Sequence, residues 1–277
     1  MSEAEAAAVA PPSVAEVLRG AASALAAAGC DTPRLDAELL LAFVLGVERG
    51  RLVVDAHAEL DAAAVSRFEA LAARRAAREP VAYILGRKEF RRITLAVDRR
   101  VLIPRPETEL LVEVGLSLPS GARVVDVGTG SGAVALALKD ERPDLTVVAT
   151  DVDPDALAVA RANGLHLGLD VAFVQADLLH GLDGRFDAVL ANLPYVPSGV
   201  ELPPEIARYE PARALFSGPD GLDLIRRLLS MTAGVPLVAL EVGLAKCVAS
   251  LALEAGFGSA EILYDLAGHE RVVVARH

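Results

Sequence analysis

Tryptophan is absent, cysteine occurs only twice, and aromatic residues make up 4% of the 277-residue chain. No run of about eighteen strongly apolar residues is free of charge, so no membrane-spanning helix is expected. Glu3 and Glu5 stand where a secretory leader would carry basic residues ahead of an apolar block, and no such leader is expected. Cys30 and Cys247 form no CxxC pair, and no His/Cys cluster accompanies them. A structural metal is therefore not expected, and two small buried thiols fit a reducing cytoplasm. A basic surplus is also missing. The net charge is −11, whereas nonspecific binding to long nucleic acid rests on neutralising phosphates, so no stable nucleic-acid binding is expected. The one basic concentration, Arg74 to Arg105, reads either as a solvated helix face or as a docking surface for an acidic or RNA-linked partner.

What remains is an apolar chain, 53% by residue, dominated by Ala and Val. The spacing of Val14, Val17, Leu18, Ala21 and Leu25 predicts a helix that Gly29 closes. Asp31 or Thr32 can cap a second helix with Pro33 in its first turn and an apolar stripe of Leu35, Leu39, Leu40, Phe43 and Val44. A third is expected near Asp61–Arg78, with Val65, Phe68 and Leu71 inward, so residues 1–80 read as a small helical domain. Residues 81–103 read as a hairpin linker, with weak alternation from Phe90 to Val97. Pro104–Glu107 then opens a helix to about Leu118. From Arg123 strands and helices alternate, with strands expected at 123–127, 146–150, 171–175, 186–191, 235–241, 258–264 and 270–275. The fold class is α/β: residues 104–277 form a Rossmann-like, seven-stranded sheet that is mostly parallel, covered by helices and closed by an antiparallel final hairpin.

The first strand runs into Val127-Gly128-Thr129-Gly130-Ser131-Gly132, a glycine-rich turn before a helix, where backbone can approach a ligand. The second ends at Asp151, placed to accept hydrogen bonds from ribose hydroxyls, which would also suit NAD. Two features favour S-adenosylmethionine. The spacing is GxGxG rather than GxGxxG, and Asp126 just before it could face the charged methionine end of the cofactor. Asp177, ending the third strand, could meet the adenine amino group or could cap a helix.

The fourth strand ends in Asn192-Leu193-Pro194-Tyr195. A planar nitrogen is a poor nucleophile because its lone pair is delocalised. Acceptors for both of its N–H groups would hold it in line with the sulfonium methyl and stabilise the charge that develops on it. Asn192 offers a side-chain oxygen, the adjacent backbone carbonyl a second acceptor, and Tyr195 a flat stacking face. No strong general base is evident nearby, and none is required if the proton leaves after transfer. These residues do not choose between an amide and a base as acceptor.

With those segments in view, the chain resembles the PrmC/HemK family, the release-factor glutamine N5-methyltransferases. The likeness spans nearly everything after residue 13. It includes Arg34–Leu40, Glu79–Gly86, Val101–Glu109, Tyr209-Glu210-Pro211, Ala214-Leu215, Gly218 with Asp220–Leu222, and Asp265–Arg271. Ile103–Glu109 is its most family-specific part. The resemblance implies methylation, in the cytoplasm, of the glutamine amide in the Gly-Gly-Gln motif of peptide chain release factors, yielding S-adenosylhomocysteine. It implies that Gly128–Gly132 and Asp151 hold the cofactor, that Asn192–Tyr195 hold the glutamine, and that residues 1–80 help dock the release factor. Two positions depart from the family pattern. Leu193 replaces a usual proline, yet still supplies the carbonyl, and Pro194 biases it toward an extended backbone. Leu178 stands where some relatives have an aromatic beside the adenine.

The rival reading is an amino methyltransferase acting on adenine in RNA or DNA, because Asn-Leu-Pro-Tyr also occurs in rRNA dimethyladenosine methyltransferases. Those enzymes lack the Ile103–Glu109 segment and the helical domain. A noncatalytic cofactor-binding module would have no need of Asn192.

Overall fold

The computed structural model describes residues 11–277, and the chain divides into two compact units after Leu85. The Ala/Pro-rich start, residues 1–10, lies outside the described residues.

The first unit is helical. α1 (Val14–Ala27) begins with a capping box: Ser13 Oγ accepts from Glu16 N at 3.4 Å, and the Glu16 carboxylate accepts from Ser13 N at 2.8 Å. Gly29, at φ 78°, ends it. α2 (Pro33–Leu45) has proline in its first turn and Gly46 in a left-handed C-cap. Thr32 occupies the N-cap position but makes no side-chain cap; its hydroxyl donates to Asp36 at 2.8 Å instead. That bond and the ion pair of Asp36 with Arg75 (2.7 Å) draw a carboxylate into the interior. The buried face of α2 is accordingly Asp36, Ala37, Leu40, Leu41 and Ala42, while Leu35 and Phe43, expected inward, are exposed. α3 (Arg51–Val54) is a short helix the apolar spacing did not announce. α4 (Ala62–Ala76) is capped by Asp61 (2.6 Å to Ala64 N) and packs Phe68 inward. Residues 81–85, expected within the hairpin, form α5 (Val81–Leu85).

The second unit opens with a hairpin of β1 (Arg87–Phe90) and β2 (Ile93–Ala96), followed by α6 (Glu109–Leu116). Then come β3 (Arg123–Val127), α7 (Ala133–Glu141), β4 (Thr146–Asp151), α8 (Pro154–Leu167), β5 (Ala172–Gln175) and β6 (Ala188–Asn192). α9 (Pro204–Tyr209), α10 (Asp223–Met231), β7 (Leu237–Glu241), α11 (Ala245–Glu254), β8 (Ser259–Tyr264) and β9 (Glu270–Arg276) complete it.

The seven-stranded sheet has the order β5-β4-β3-β6-β7-β9-β8, parallel from β5 to β7, with β9 antiparallel to both β7 and β8. β3, β6 and β7 are almost wholly buried, as expected for strands covered on both faces. The chain passes outward from β3 through β4 and β5, then returns to place β6 on the other side of β3. Ligands bind outside the carboxyl ends of strands at such a switch point, and here it falls between Val127 and Asn192.

Cys30 is buried, but Cys247 is exposed, contrary to the expectation of two buried thiols. α11 buries Ala245, Val248 and Ala252, a three-to-four spacing that turns position 247 outward.

Candidate active site

Glycine is required where the chain leaves β3. Gly128, Gly130 and Gly132 all have positive φ, and a Cβ at Gly132 would lie 2.8 Å from the Leu136 side chain. The amides of Gly128 and Thr129 both donate to Thr150 O at 2.8 Å, and the Ser131 carbonyl accepts from buried Asn163 at 2.9 Å. Asn163 also bonds both backbone groups of Ala96, so one side chain ties the glycine turn to the hairpin.

The turn forms one wall of a cleft whose empty space, open solvent included, is about 770 Å³. Gly130 faces it with open space where a side chain would stand, and donates its N–H to Asp151 at 2.9 Å. Asp151 lines the same cleft, and burial raises its pKa. Asp177 and Leu178 also line it. Leu178 is held at φ 58°, and its carbonyl accepts from Thr150 Oγ1 at 3.3 Å. Asp177 is not a helix cap; its exposed carboxylate pairs with Arg227 at 2.7 Å, leaving it at the rim. Gly128 and Asn192 are lining residues as well.

Four expected cofactor ligands are placed otherwise, and one of them, Gly132, is the N-cap residue of α7 and does not line the cleft. Asp126 does not line the cleft. It is 2% exposed, and its Oδ2 accepts from Thr129 Oγ1 (2.6 Å) and Ala135 N (3.2 Å). It thus fastens the glycine turn to the start of α7, and burial pushes its pKa up to about 6. Thr129 and Ser131 are buried and contribute to the turn rather than to the cleft wall. The pleat of β3 explains the placement of Asp126: it alternates with Val127, and Val127 is the one that reaches the cleft.

Asn192 stands at the tip of β6. Its Nδ2 donates to Thr108 Oγ1 at 3.1 Å, which fixes the orientation of the amide; Oδ1 has no hydrogen-bond partner among the described residues. Leu193 packs against the glycine turn, with its Cδ2 3.0 Å from where a Gly128 Cβ would be. A second cavity, with about 510 Å³ of empty space counted the same way, adjoins at Asn192 and Leu193 and is lined by Tyr195, Arg105 and Glu241. Leu102, Asn192, Leu193 and Ala214 line both cavities. The segment after Tyr195 is pinned by Val196 N to Leu215 O (2.9 Å) and Ser217 N to Val196 O (3.0 Å). Gly221, at φ 79°, is where a Cβ would come within 2.3 Å of the Tyr195 carbonyl. The Tyr195 phenol is pushed up to about 12, chiefly by burial and next by Glu241.

Sequence reasoning missed Thr108, Glu210 and Glu241. Glu210 accepts from Arg105 and from Ile103 N (3.4 Å), joining the 103–109 and 209–211 segments beneath the second cavity. Burial raises its pKa, and Arg105 opposes the rise. Glu241 ends an otherwise apolar strand. That single charge was the signal available.

Comparison with known proteins follows the same division. Residues 16–86 match the family described as the PrmC N-terminal domain, and residues 106–207 match the methyltransferase small domain. A release factor glutamine methyltransferase of Mycolicibacterium smegmatis is 48% identical over 222 residues, covering 78% of each chain. One from Deinococcus radiodurans is 40% identical over 272 residues, covering 94% of this chain and 97% of its own. Among solved structures, a Pyrococcus furiosus methyltransferase superposes with a TM-score of 0.51 at 19% identity, covering 66% of this chain and 87% of its own. A T. thermophilus 16S rRNA methyltransferase, in complex with AdoMet and guanosine, gives 0.50 at 18%, covering 69% and 49%. At such identities these two show the fold alone.

Proposed function

We propose how the site works from one premise: the chain belongs to the release factor glutamine methyltransferases. It is an S-adenosylmethionine-dependent enzyme that methylates a release-factor glutamine. Its class I methyltransferase sheet carries the site at the β3/β6 switch point.

The larger cleft suits S-adenosylmethionine. Gly128 and Gly130 leave room for close backbone approach, the Asp151 carboxylate suits ribose hydroxyls, and Val127, Leu178 and Leu224 offer apolar surface for a purine. Asp177 is an adenine contact only once its bond to Arg227 is shared or released. The cofactor supplies an activated methyl group. The smaller cavity takes the glutamine side chain, stacked on Tyr195. Asn192 Oδ1 and the Leu193 carbonyl accept its two N–H bonds and hold the nitrogen toward the cleft. Both acceptors bear partial negative charge, so they favour the positive charge that grows on that nitrogen. The observation that carries this reading is the bond from Asn192 Nδ2 to Thr108, which leaves the amide oxygen, not its nitrogen, for the ligand. Here Asn192–Tyr195 are catalytic, and Asp126, Thr129 and Ser131 act by shaping the turn.

The helical unit, expected over residues 1–80, is the part we assign to docking the release factor, with the Gly-Gly-Gln glutamine as target. Where translation proceeds, in the cytoplasm, is where it would work; among the described residues no helix is long and apolar enough to cross a membrane. The charge of −11 disfavours RNA as substrate. The test is mass spectrometry of the Gly-Gly-Gln peptide after incubation with enzyme and cofactor, with ribosomal RNA offered in parallel. One added methyl on the glutamine is expected, and Asn192→Ala should abolish it while retaining cofactor binding. Methylation of RNA alone would overturn the assignment.

A further inference from the structure

Asn192 ends β6 and Glu241 ends β7, and the parallel register pairs these two residues directly. Paired residues of adjacent strands project to the same face, so a carboxyl group sits beside the amide assigned to the substrate. Glu241 is 3% exposed, and its Oε2 is the one buried side-chain polar atom among the described residues without a hydrogen-bond partner. Buried polar atoms are paired as a rule, so a lone exception beside a reaction centre points to a ligand or a proton. Glu241 lines the same cavity as Asn192, Leu193 and Tyr195.

The surroundings tune this carboxyl. Burial pushes it up to about 7, and Glu107 adds to the rise; the Thr108 hydroxyl, as hydrogen-bond donor, and the cations Arg271 and Arg105 oppose it. Tyr195 faces it as a neutral phenol. The other acids nearby on α6 are engaged elsewhere, Glu109 and Glu113 with Arg91. A carboxyl balanced near neutrality is suited to exchange protons under working conditions.

We propose that Glu241 is the proton acceptor of this site. The proposal rests on the reading that the glutamine occupies the smaller cavity. The amide nitrogen forms its new bond to the methyl carbon with its lone pair, while the carbon–sulfur bond breaks and leaves its electron pair on sulfur. The nitrogen then bears a positive charge and two protons. One proton leaves its hydrogen bond to Asn192 Oδ1 and passes to Oε2 of the neighbouring Glu241, its bonding pair returns to nitrogen, and the neutral N-methyl amide results. The carboxylic acid releases that proton to solvent as the product departs. Before the transfer, the ionised carboxylate also favours the charge growing on the nitrogen.

The test uses the full chain and the isosteric variant Glu241→Gln, with Glu241→Asp to restore a carboxylate. Infrared titration of the cofactor-free protein should show a carboxyl titrating near pH 7 that Glu241→Gln lacks. With release factor as substrate, wild-type kcat should rise with pH through about 7 to a plateau. Glu241→Gln should lose that limb and about 100-fold in plateau kcat, the low end of what a positioned proton acceptor contributes, with cofactor affinity and KM unchanged. Glu241→Asp should recover the limb. A wild-type pH profile retained in Glu241→Gln, or no carboxyl titrating near 7, overturns the proposal. So does a loss of kcat matched by a loss of cofactor affinity, which would mark a structural role. If the wild-type enzyme itself leaves the glutamine unmodified, it is the underlying reading of the site that fails.

Discussion

Replacing Thr108 by valine exchanges a hydroxyl for a methyl group of nearly the same size, so packing around this buried residue changes little. The chemistry changes in two places. The acceptor 3.1 Å from Asn192 Nδ2 disappears, and with it the one side-chain hydrogen bond that orients the Asn192 amide among the described residues. An amide turned over would point N–H groups at the N–H groups of the incoming glutamine. A hydrogen bond of this kind has a net worth of about 1 kcal/mol, and a buried donor left unpaired costs about 1–3 kcal/mol. Asn192 is half-buried, so water compensates in part, and the lower half of that range applies. The expected loss in kcat/KM is about 5- to 30-fold, since each 1.4 kcal/mol is tenfold.

The second change concerns Glu241. The Thr108 hydroxyl is the largest influence holding that carboxyl down, so its removal should carry the carboxyl above about 7. The rising limb of the pH–rate profile should therefore move toward alkaline pH in Thr108→Val. The assay is steady-state methylation of release factor across the pH range, with calorimetric titration of S-adenosylmethionine as the control. Thr108 is absent from the lining of the cofactor cleft, so cofactor affinity should stay as in the wild type. An unchanged kcat/KM would refute the claim that Thr108 orients Asn192. A parallel fall in cofactor affinity would refute the separation of the two cavities.

Two further outcomes concern stability. Asp126 has a folded-state pKa of about 6 against 3.8 for the free side chain, so its contribution is fully present below about 3.8 and is lost as pH rises through 6. The full difference corresponds to about 3 kcal/mol, of which about 2 kcal/mol is lost between pH 4 and 7.5, and the stability of Asp126→Asn, followed by urea unfolding, should fall by about that much less than wild type over this range; an identical slope would count against it. Asp36→Ala strips a buried Arg75 of its carboxylate partner and should cost about 3–5 kcal/mol, the range for breaking a buried pair from one side. Denaturant unfolding followed by circular dichroism reads this, and a loss under about 1 kcal/mol would mean that the remaining contacts of Arg75 suffice.

What could be read in advance was local. Most strands of the sheet announce themselves as short apolar runs followed within about two residues by glycine, proline or an acid. Their predicted limits differ from the observed ones by at most two residues. The glycine turn and Asn192–Tyr195 were legible for the same reason: backbone conformation and chemistry are both set within a few consecutive residues. Where the reading failed, a partner distant in sequence decided the outcome. The rotation of α2 follows the bond of Asp36 to Arg75, 39 residues away, which no apolar count along one helix contains. Asp126 was assigned to the cofactor because acid beside glycine suits a charged ligand, yet Thr129 and the amide of Ala135 claim it first.

The same logic explains why the family-specific segment 103–109 carried no mechanism as a string of letters. Its residues act on groups brought to them by the sheet: Thr108 on Asn192, 84 positions later, and Arg105 on Glu210, 105 positions later. Glu241 joins them only because β7 lies in register beside β6. Nothing between Thr108 and Glu241 in the chain signals that pairing. Yet once β6 and β7 are known to be adjacent and parallel, the last residue of one must face the last residue of the other, since the pleat alternates faces with a period of two. A charged residue at the carboxyl end of a buried strand in such a sheet is therefore a candidate member of the site, whatever motif precedes it. That rule would have selected Glu241 from the strand order alone, and it locates the missing base on the strand next to the acceptor rather than in the motif that binds the substrate.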